Sequence, residues 1–348
     1  MVAAFLAAAA LPALGRAVST PAAARTAPAR LVAAAYVPYW DQQRGLREAQ
    51  NNAATFDEIS PWWYSFDDTG AVVVQDGRVT VVDPAAVTRL QTDGVRVLPT
   101  LADHRQGAWV PGAASAVLAD PARRQALARH IDELVAARGY DGIDLDFEAL
   151  AGTDRRAFSS FVSSVAALLH RRGKKLVVTV QPKESDAGYS AQNAAQDYRA
   201  IGRAADEVRV MAYDLHWSGS EPGPVAPTAW VANVVRFATS EIPSARLQLG
   251  VPLHGYDWAD GQGQPVTWGE ATRLAAARGA VVHWDPVGAS NTFTYASGGI
   301  THTVWFGDAR SVAAALGVAQ SAHLGGVFLW RLGDSDPAVW RVLDQRGA

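Results

Sequence analysis

From residue 31 onward the chain alternates short β-rich runs with amphipathic helical segments, and no other feature restricts its fold as strongly. Strand-like runs fall at Leu31–Val37, Glu58–Phe66, Val95–Leu101, Gly142–Phe147, Lys175–Gln181, Glu207–Ala212, Leu247–Val251 and Gly326–Trp330. Helical patterns separate most of them, at Pro84–Thr92, Pro121–Arg138, Asp154–Arg172, Ala194–Ala205, Thr228–Ser240 and Asp308–Ala319. Strand followed by helix implies parallel strands joined by right-handed crossovers. Eight such units predict an α/β chain folded as a closed (β/α)8 TIM barrel, not an open doubly wound sheet. The first strand is not followed by GxGxxG, which counts against a dinucleotide-binding fold.

Two segments interrupt the alternation. Residues 69–82, TGAVVVQDGRVTVV, alternate apolar and polar around Asp76-Gly77, a hairpin signal inside the second βα loop. Residues 255–303 are too long for a plain loop after the seventh strand. They hold a helical piece at Gly269–Arg278 and strand-like pieces at Ala280–Trp284, Thr292–Ala296 and Thr301–Trp305, which predicts a small α+β insertion on the face where barrel sites lie. The predicted organisation is therefore residues 1–30 as a leader and linker, and 31–348 as the barrel with 255–303 inserted. Residues 2–14, VAAFLAAAALPAL, are too short to span a bilayer and read as the apolar region of an export signal, although no basic segment precedes them. The expected location is extracellular, with cell-wall association open. No later stretch is apolar and long enough to cross a membrane.

Composition narrows the chemistry. The 31 basic and 34 acidic side chains leave a formal charge of −3, so nothing points to nucleic acid or an anionic membrane as partner. The absence of cysteine excludes disulfides, thiolate zinc sites and thiol nucleophiles. No cofactor and no resident metal are expected, and the chain is expected to act as a monomer on a neutral polymer. Twelve tryptophans are many, and they divide between core packing and stacking surfaces.

The segment Tyr140-Asp-Gly-Ile-Asp-Leu-Asp-Phe-Glu148 carries the densest signal. Side chains alternate along a strand, so Asp144, Asp146 and Glu148 form one row and Ile143, Leu145 and Phe147 the other. With the apolar row under the helices, the acidic row points into the barrel and Glu148 ends it at the C-terminal mouth. Three carboxyls in a row are costly inside a protein unless they share protons, bind a cation or do chemistry. A solvated acidic edge and a magnesium or calcium site are the other readings of this row. No histidine or further acidic cluster clearly joins it. In the chemical reading, crowding raises the pKa of Glu148 so that it serves as a general acid, Asp146 turns between Glu148 and substrate, and Asp144 shares its proton with Asp146.

This run resembles the DxxDxDxE signature of family-18 glycoside hydrolases at Asp141, Asp144, Asp146 and Glu148. Met211-Ala-Tyr213-Asp214 at the sixth strand resembles that family's MxYD, and Trp330 at the eighth resembles the tryptophan that floors its sugar site. The resemblance covers roughly residues 31–345. It implies hydrolysis of β-linked N-acetylglucosamine polymers with retention, the substrate's own acetamido oxygen acting as nucleophile. It further implies that Glu148 is acid and then base, that Asp146 holds the acetamido N–H, that Tyr213 holds its carbonyl oxygen, that Asp214 orients the sugar and that Trp330 stacks beneath it. Met211, Gln181, Tyr39, Trp40 and Trp217 are expected to bind substrate. Tyr36, Trp62, Trp63, Trp258 and Trp305 are further groove candidates, and Lys183 is either a cleft residue or a solvated one.

The third strand, VRVLPTLADH, lacks the SxGG motif of chitinases in this family. ISPWWYSF, HTVWFGDARSV and FLWRLGDSDPAVW are instead similar to the bacterial branch of spore-cortex and peptidoglycan N-acetylglucosaminidases. Chitin, peptidoglycan and glycoprotein glycans all remain open as substrates at this point. A lectin-like relative is the competing class, but such relatives typically lack the acidic glutamate, which is present here as Glu148.

Overall fold

A computed structural model describes residues 30–75, 82–105 and 107–347. The leader and linker expected over residues 1–30 lie outside the described residues apart from Arg30, as does the turn expected at Asp76-Gly77. Eight parallel strands close on themselves. They are β1 (Val32–Pro38), β2 (Glu58–Phe66), β3 (Thr100–Ala102), β4 (Gly142–Asp146), β5 (Lys175–Val180), β6 (Glu207–Val210), β7 (Leu247–Pro252) and β8 (Gly326–Trp330). Each pairs with its sequence neighbours, and β1 pairs with both β2 (Tyr36 opposite Ser60) and β8 (Ala33 opposite Val327), which completes the barrel.

The strand faces divide as the alternation requires. On β4, Ile143 and Leu145 point outward and continue into Phe147, all fully buried in the layer between barrel and helices. Phe147 stacks on Phe66 at 5.1 Å and on Phe158 at 5.5 Å. The helices supply matching stripes. Pro121–Arg138 buries Leu127, Ala128, Ile131 and Val135, starts where the Asp120 side chain accepts the N–H groups of Ala122 and Arg123, and stops at Gly139 in the left-handed region.

Where the structure departs from the expected elements, a local cause is visible. The run expected as one strand over Val95–Leu101 is two pieces, Arg96–Val97 and Thr100–Ala102, flanking Pro99, which has no N–H for a ladder. The helix expected over Ala194–Ala205 is likewise two, Ala191–Ala195 and Tyr198–Ala204, because Asp197 between them caps the second by accepting the Ala200 N–H. A helix at Gln42–Asn51 joins β1 to β2; it is mostly polar and buries only Gly45, Leu46 and Ala49, too faint a stripe to read. Helices Ala113–Ala119 and Val339–Asp344 were also outside the expected set. Val72–Val74 pairs back onto Tyr64–Phe66 of β2.

The insertion after β7 is present and larger than 255–303. Strands Gln262–Thr267, His254–Ala259, Ile300–Phe306, Ser290–Ser297 and His283–Asp285 form an antiparallel sheet in that order. Helix Trp268–Arg278 covers one face, fixed by a reciprocal Thr267–Glu270 cap at its start.

Candidate active site

The barrel interior is built in polar layers. At the bottom, Arg209 and Glu58 are both fully buried and meet at 3.0 Å. Arg209 also donates to Ser60 Oγ at 2.6 Å and to Gln248 Oε1 at 2.8 Å. Lys175 bridges Glu58 and Glu207. Two cations hold the Glu58 carboxyl down to about 2 against the opposing effect of burial. Burial and the Glu58 charge push Glu207 up to about 7. Asp141, the first residue of the acidic signature, lies at this end of β4. It accepts from the Val97 N–H at 2.8 Å and Gln91 Nε2 at 2.9 Å, a strand-to-helix clasp remote from the mouth.

Asp144 forms the next layer. Its Oδ2 accepts from Tyr36 Oη at 2.9 Å and Thr100 Oγ1 at 2.8 Å, and its Oδ1 from Thr179 Oγ1 at 2.8 Å. Tyr36 Oη and Thr179 Oγ1 also stand 2.6 Å apart. Four short oxygen contacts therefore share three hydroxyl protons, and the set is complete only when Asp144 carries a proton of its own. Burial raises its pKa in the same sense, opposed by the Arg209 charge below and by the hydroxyl donors. The expected sharing of a proton between Asp144 and Asp146 is not seen as a direct hydrogen bond, because the hydroxyls occupy Asp144.

Asp146 stands one pleat higher. Its Oδ2 accepts from Trp62 Nε1 at 3.1 Å, while its Oδ1 is buried with no partner. Burial first, then the charges of Glu148 and Asp144, drive its pKa well above the usual carboxyl range. Glu148 follows the end of β4 and is partly exposed at the mouth. Burial, then Asp103 and Asp214, push it up to about 8, against a weak opposing donor, Gln181 Nε2 at 3.5 Å.

A cleft of about 760 Å³ opens above this row. Asp146, Glu148, Tyr213, Asp214, Met211, Gln181, Trp217 and Trp330 all line it, as does the groove candidate Tyr36, so nine expected residues converge on one space. Asp144 lies beneath. Tyr213 is held neutral by burial and by surrounding acids. Asp214 adopts a left-handed φ of 60° and is fixed there by His254 Nε2 at 2.9 Å and Tyr256 Oη at 3.0 Å, two residues of the insertion sheet. The insertion thus reaches the cleft through Asp214. Trp330 packs edge-on against Tyr36 at 5.5 Å, and Trp217 is half exposed at the rim.

Tyr39 and Trp40 flank the lining rather than form it. Tyr39 stacks on Trp62 at 5.8 Å, and Trp40, half exposed, meets Trp330 at 6.3 Å. Trp62 contributes a donor to Asp146 instead of a sugar surface, and Trp63 faces outward, where its Nε1 donates to Gln42 Oε1 at 2.7 Å. Trp258 is buried and donates to the Trp217 carbonyl at 3.1 Å. Lys183 is neither in the cleft nor solvated. It is fully buried under the 184–196 loop, donates to the Gln196 carbonyl and lies 4.7 Å from the Tyr198 ring, and burial lowers it to about 8.

Sequence reasoning missed Asp103, Trp109, and the Ser190–Asn193 stretch. Trp109 and residues Ser190, Gln192 and Asn193 line the cleft. Asn193 Nδ2 donates to Gln181 Oε1 at 2.7 Å, while its own Oδ1 accepts from the Tyr189 N–H at 2.7 Å, which orients the Gln181 amide with its nitrogen toward Glu148. Asp103 directly follows β3, a position that the barrel rule alone could have flagged. Among the described residues no group of three or more histidine, aspartate or glutamate side chains is arranged to hold a metal ion, and no helix is long and apolar enough to cross a membrane.

The same architecture recurs in known proteins. The cortical fragment-lytic enzyme of Bacillus subtilis is 32% identical over 237 residues, covering 66% of this chain and 55% of that enzyme. The crystal structure of a chitinase from Chromobacterium violaceum superposes with a TM-score of 0.84 at 30% identity, over 91% of this chain and 99% of that one. The Bacillus cereus spore cortex-lytic enzyme SleL shares the fold at a TM-score of 0.82 and 23% identity, over 91% of this chain and 74% of that one. The family profile described as glycosyl hydrolases family 18 matches residues 34–336, the span from β1 past β8 that builds the cleft. The chain belongs to glycosyl hydrolase family 18 and is a glycoside hydrolase.

Proposed function

We propose that this hydrolase cleaves β-linked glycans containing N-acetylglucosamine, chitin or peptidoglycan, with retention and by substrate-assisted catalysis. The observation that carries the reading is that Glu148 and Asp146 share one cleft in which burial raises both carboxyls, Glu148 up to about 8 and Asp146 well above the usual carboxyl range, which favours their neutral forms. A protonated Glu148 can deliver its proton to the glycosidic oxygen as the bond to the anomeric carbon breaks. A neutral Asp146 is a poor nucleophile, which leaves the attack to the substrate's own 2-acetamido carbonyl oxygen. That oxygen bonds to the anomeric carbon and gives an oxazolinium ion. Glu148, now a carboxylate, takes a proton from water, the water oxygen bonds to the anomeric carbon, and the acetamido group is restored.

Each neighbour has a place in this scheme. The free Oδ1 of Asp146 accepts the acetamido N–H and so holds the acetamido group in line for attack. The Tyr213 hydroxyl donates to the acetamido carbonyl oxygen. Asp214 orients the sugar, Gln181 steadies the Glu148 carboxylate, and Trp330 and Met211 form the apolar floor. Trp217 and Trp40 extend the aromatic surface. The reading includes action outside the cytoplasm after removal of a leader within residues 1–30, supported by the apolar run at 2–14 and by likeness to an enzyme named for lysing cortical fragments.

The test is hydrolysis of chitooligosaccharides and of their de-N-acetylated counterparts, with the first-formed anomer read by proton NMR. The β anomer from the acetylated substrate alone is expected. An α anomer, or equal cleavage of the de-N-acetylated substrate, contradicts a nucleophile supplied by the substrate.

A further inference from the structure

The strand that lacks the SxGG motif ends instead in a buried acid. Asp103 is 1% exposed, and both its carboxylate oxygens point at the peptide that carries the general acid. The Glu148 N–H donates to Oδ1 at 2.8 Å and the Ala149 N–H to Oδ2 at 2.9 Å. A buried carboxylate that receives two backbone donors fixes its partners in place, and the donors favour its charged form. Among the described residues no cation forms an ion pair with it, although the Arg105 charge favours its ionised form. Arg105 itself pairs with Asp68 at 2.8 Å and lies over the Phe66 ring at 5.5 Å.

We infer that Asp103 is a positioning residue for the hydrolytic reaction, pinning the Glu148–Ala149 peptide at the barrel mouth while keeping a negative charge beside the Glu148 carboxyl. The titratable groups facing Glu148 are Asp103 from the end of β3, Asp146 from its own strand, and Tyr213 and Asp214 from beyond β6, with the Gln181 amide opposite, just after β5. Asp103 titrates near 6, where burial outweighs its backbone donors, so it is ionised over the range in which Glu148 loses its proton. Below about pH 6 both carboxyls are neutral, and between about 6 and 8 Asp103 is charged while Glu148 keeps its proton. Above about 8 both would be charged, and their repulsion delays ionisation of Glu148. The Asp103 carboxylate binds the Glu148–Ala149 backbone, so its influence is exerted through the general acid.

The inference rests on Glu148 being the acid, and the test separates the two ideas. The pH dependence of kcat/KM on a chitooligosaccharide, or on peptidoglycan if only that is turned over, is measured for wild type, Asp103→Asn, Asp103→Glu and Glu148→Gln. Removing the charge in Asp103→Asn moves the alkaline limb down by about one pH unit, the scale of a close charge pair in a half-buried site. Asp103→Glu keeps the charge and leaves the limb near its wild-type position even if the rate falls. Asp103→Ser carries the same prediction as Asp103→Asn should the latter fail to fold. A rate loss in Asp103→Asn or Asp103→Ser with an unmoved limb overturns the inference while leaving the acid assignment intact. An active Glu148→Gln overturns the acid assignment itself.

Discussion

Replacing Arg209 with methionine removes the central cation of the barrel floor while preserving most of its volume. The consequence follows from Glu58, which has no exposed surface and is held at about 2 by Arg209 first and Lys175 second. Its folded-state pKa is depressed, so the stability it contributes is present above its ordinary value of 4.5 and is lost as pH falls through about 2. The net difference of about 2.5 units, cations and hydrogen bonds set against burial, corresponds to roughly 3 kcal/mol. Breaking one partner of a buried ion pair costs about 3–5 kcal/mol by a separate line of reasoning. Lys175 remains at 2.9 Å to offset part of the loss, so about 3 kcal/mol at pH 7 is expected.

The loss shrinks below about pH 4.5, because Glu58 in the variant takes up a proton that wild type refuses. Urea denaturation at pH 7 and near pH 3.5 measures it, urea being preferred because guanidinium salt screens charges. A loss under about 1 kcal/mol at pH 7, or the same loss at both pH values, would refute the ion-pair account of the barrel floor.

Two further outcomes follow from the cleft. Gln181→Met keeps the side chain's length but removes the only donor facing the Glu148 side chain among the described residues, and that donor lowers the acid's pKa. Its alkaline limb in kcat/KM therefore rises by about half a pH unit, and a fall or no change in a pH–rate profile would contradict the assigned amide orientation. Trp217→Ala removes a half-exposed ring at the rim of the cleft. It is expected to raise KM roughly tenfold with kcat near wild type, as for loss of uniform binding, and steady-state kinetics on a long oligosaccharide would show a kcat loss instead if the ring positioned the reacting sugar.

The barrel and the acidic row were legible because both are written in short-range periodicity. Alternation along Ile143–Glu148 assigned the faces, and the observed burial of Asp144 and Asp146 against the outward Ile143, Leu145 and Phe147 follows from it. What was illegible depends on long-range partners. Trp62 and Trp63 are adjacent in sequence, yet one serves Asp146 and the other a polar residue outside the barrel, a split set by register. Lys183 looked like a mouth residue because it follows β5, but the 184–196 loop folds over it, and no local pattern announces that. Asp103 lay outside any periodic run, and its importance comes from two N–H groups 45 and 46 residues away. His254 and Tyr256 hold Asp214 from the inserted sheet, a contact between segments 40 and 42 residues apart.

The central claim is that Glu148 delivers the proton that breaks the glycosidic bond of an N-acetylated glycan. Its most direct test is product analysis of wild type and Glu148→Gln on chitooligosaccharides and on peptidoglycan, with folding of both checked by circular dichroism. The account predicts N-acetylated products from wild type on at least one polymer and a loss of turnover in the variant of about a thousandfold or more, a scale set by removal of both acid and base roles. Products formed by the folded variant at a rate near wild type would contradict it.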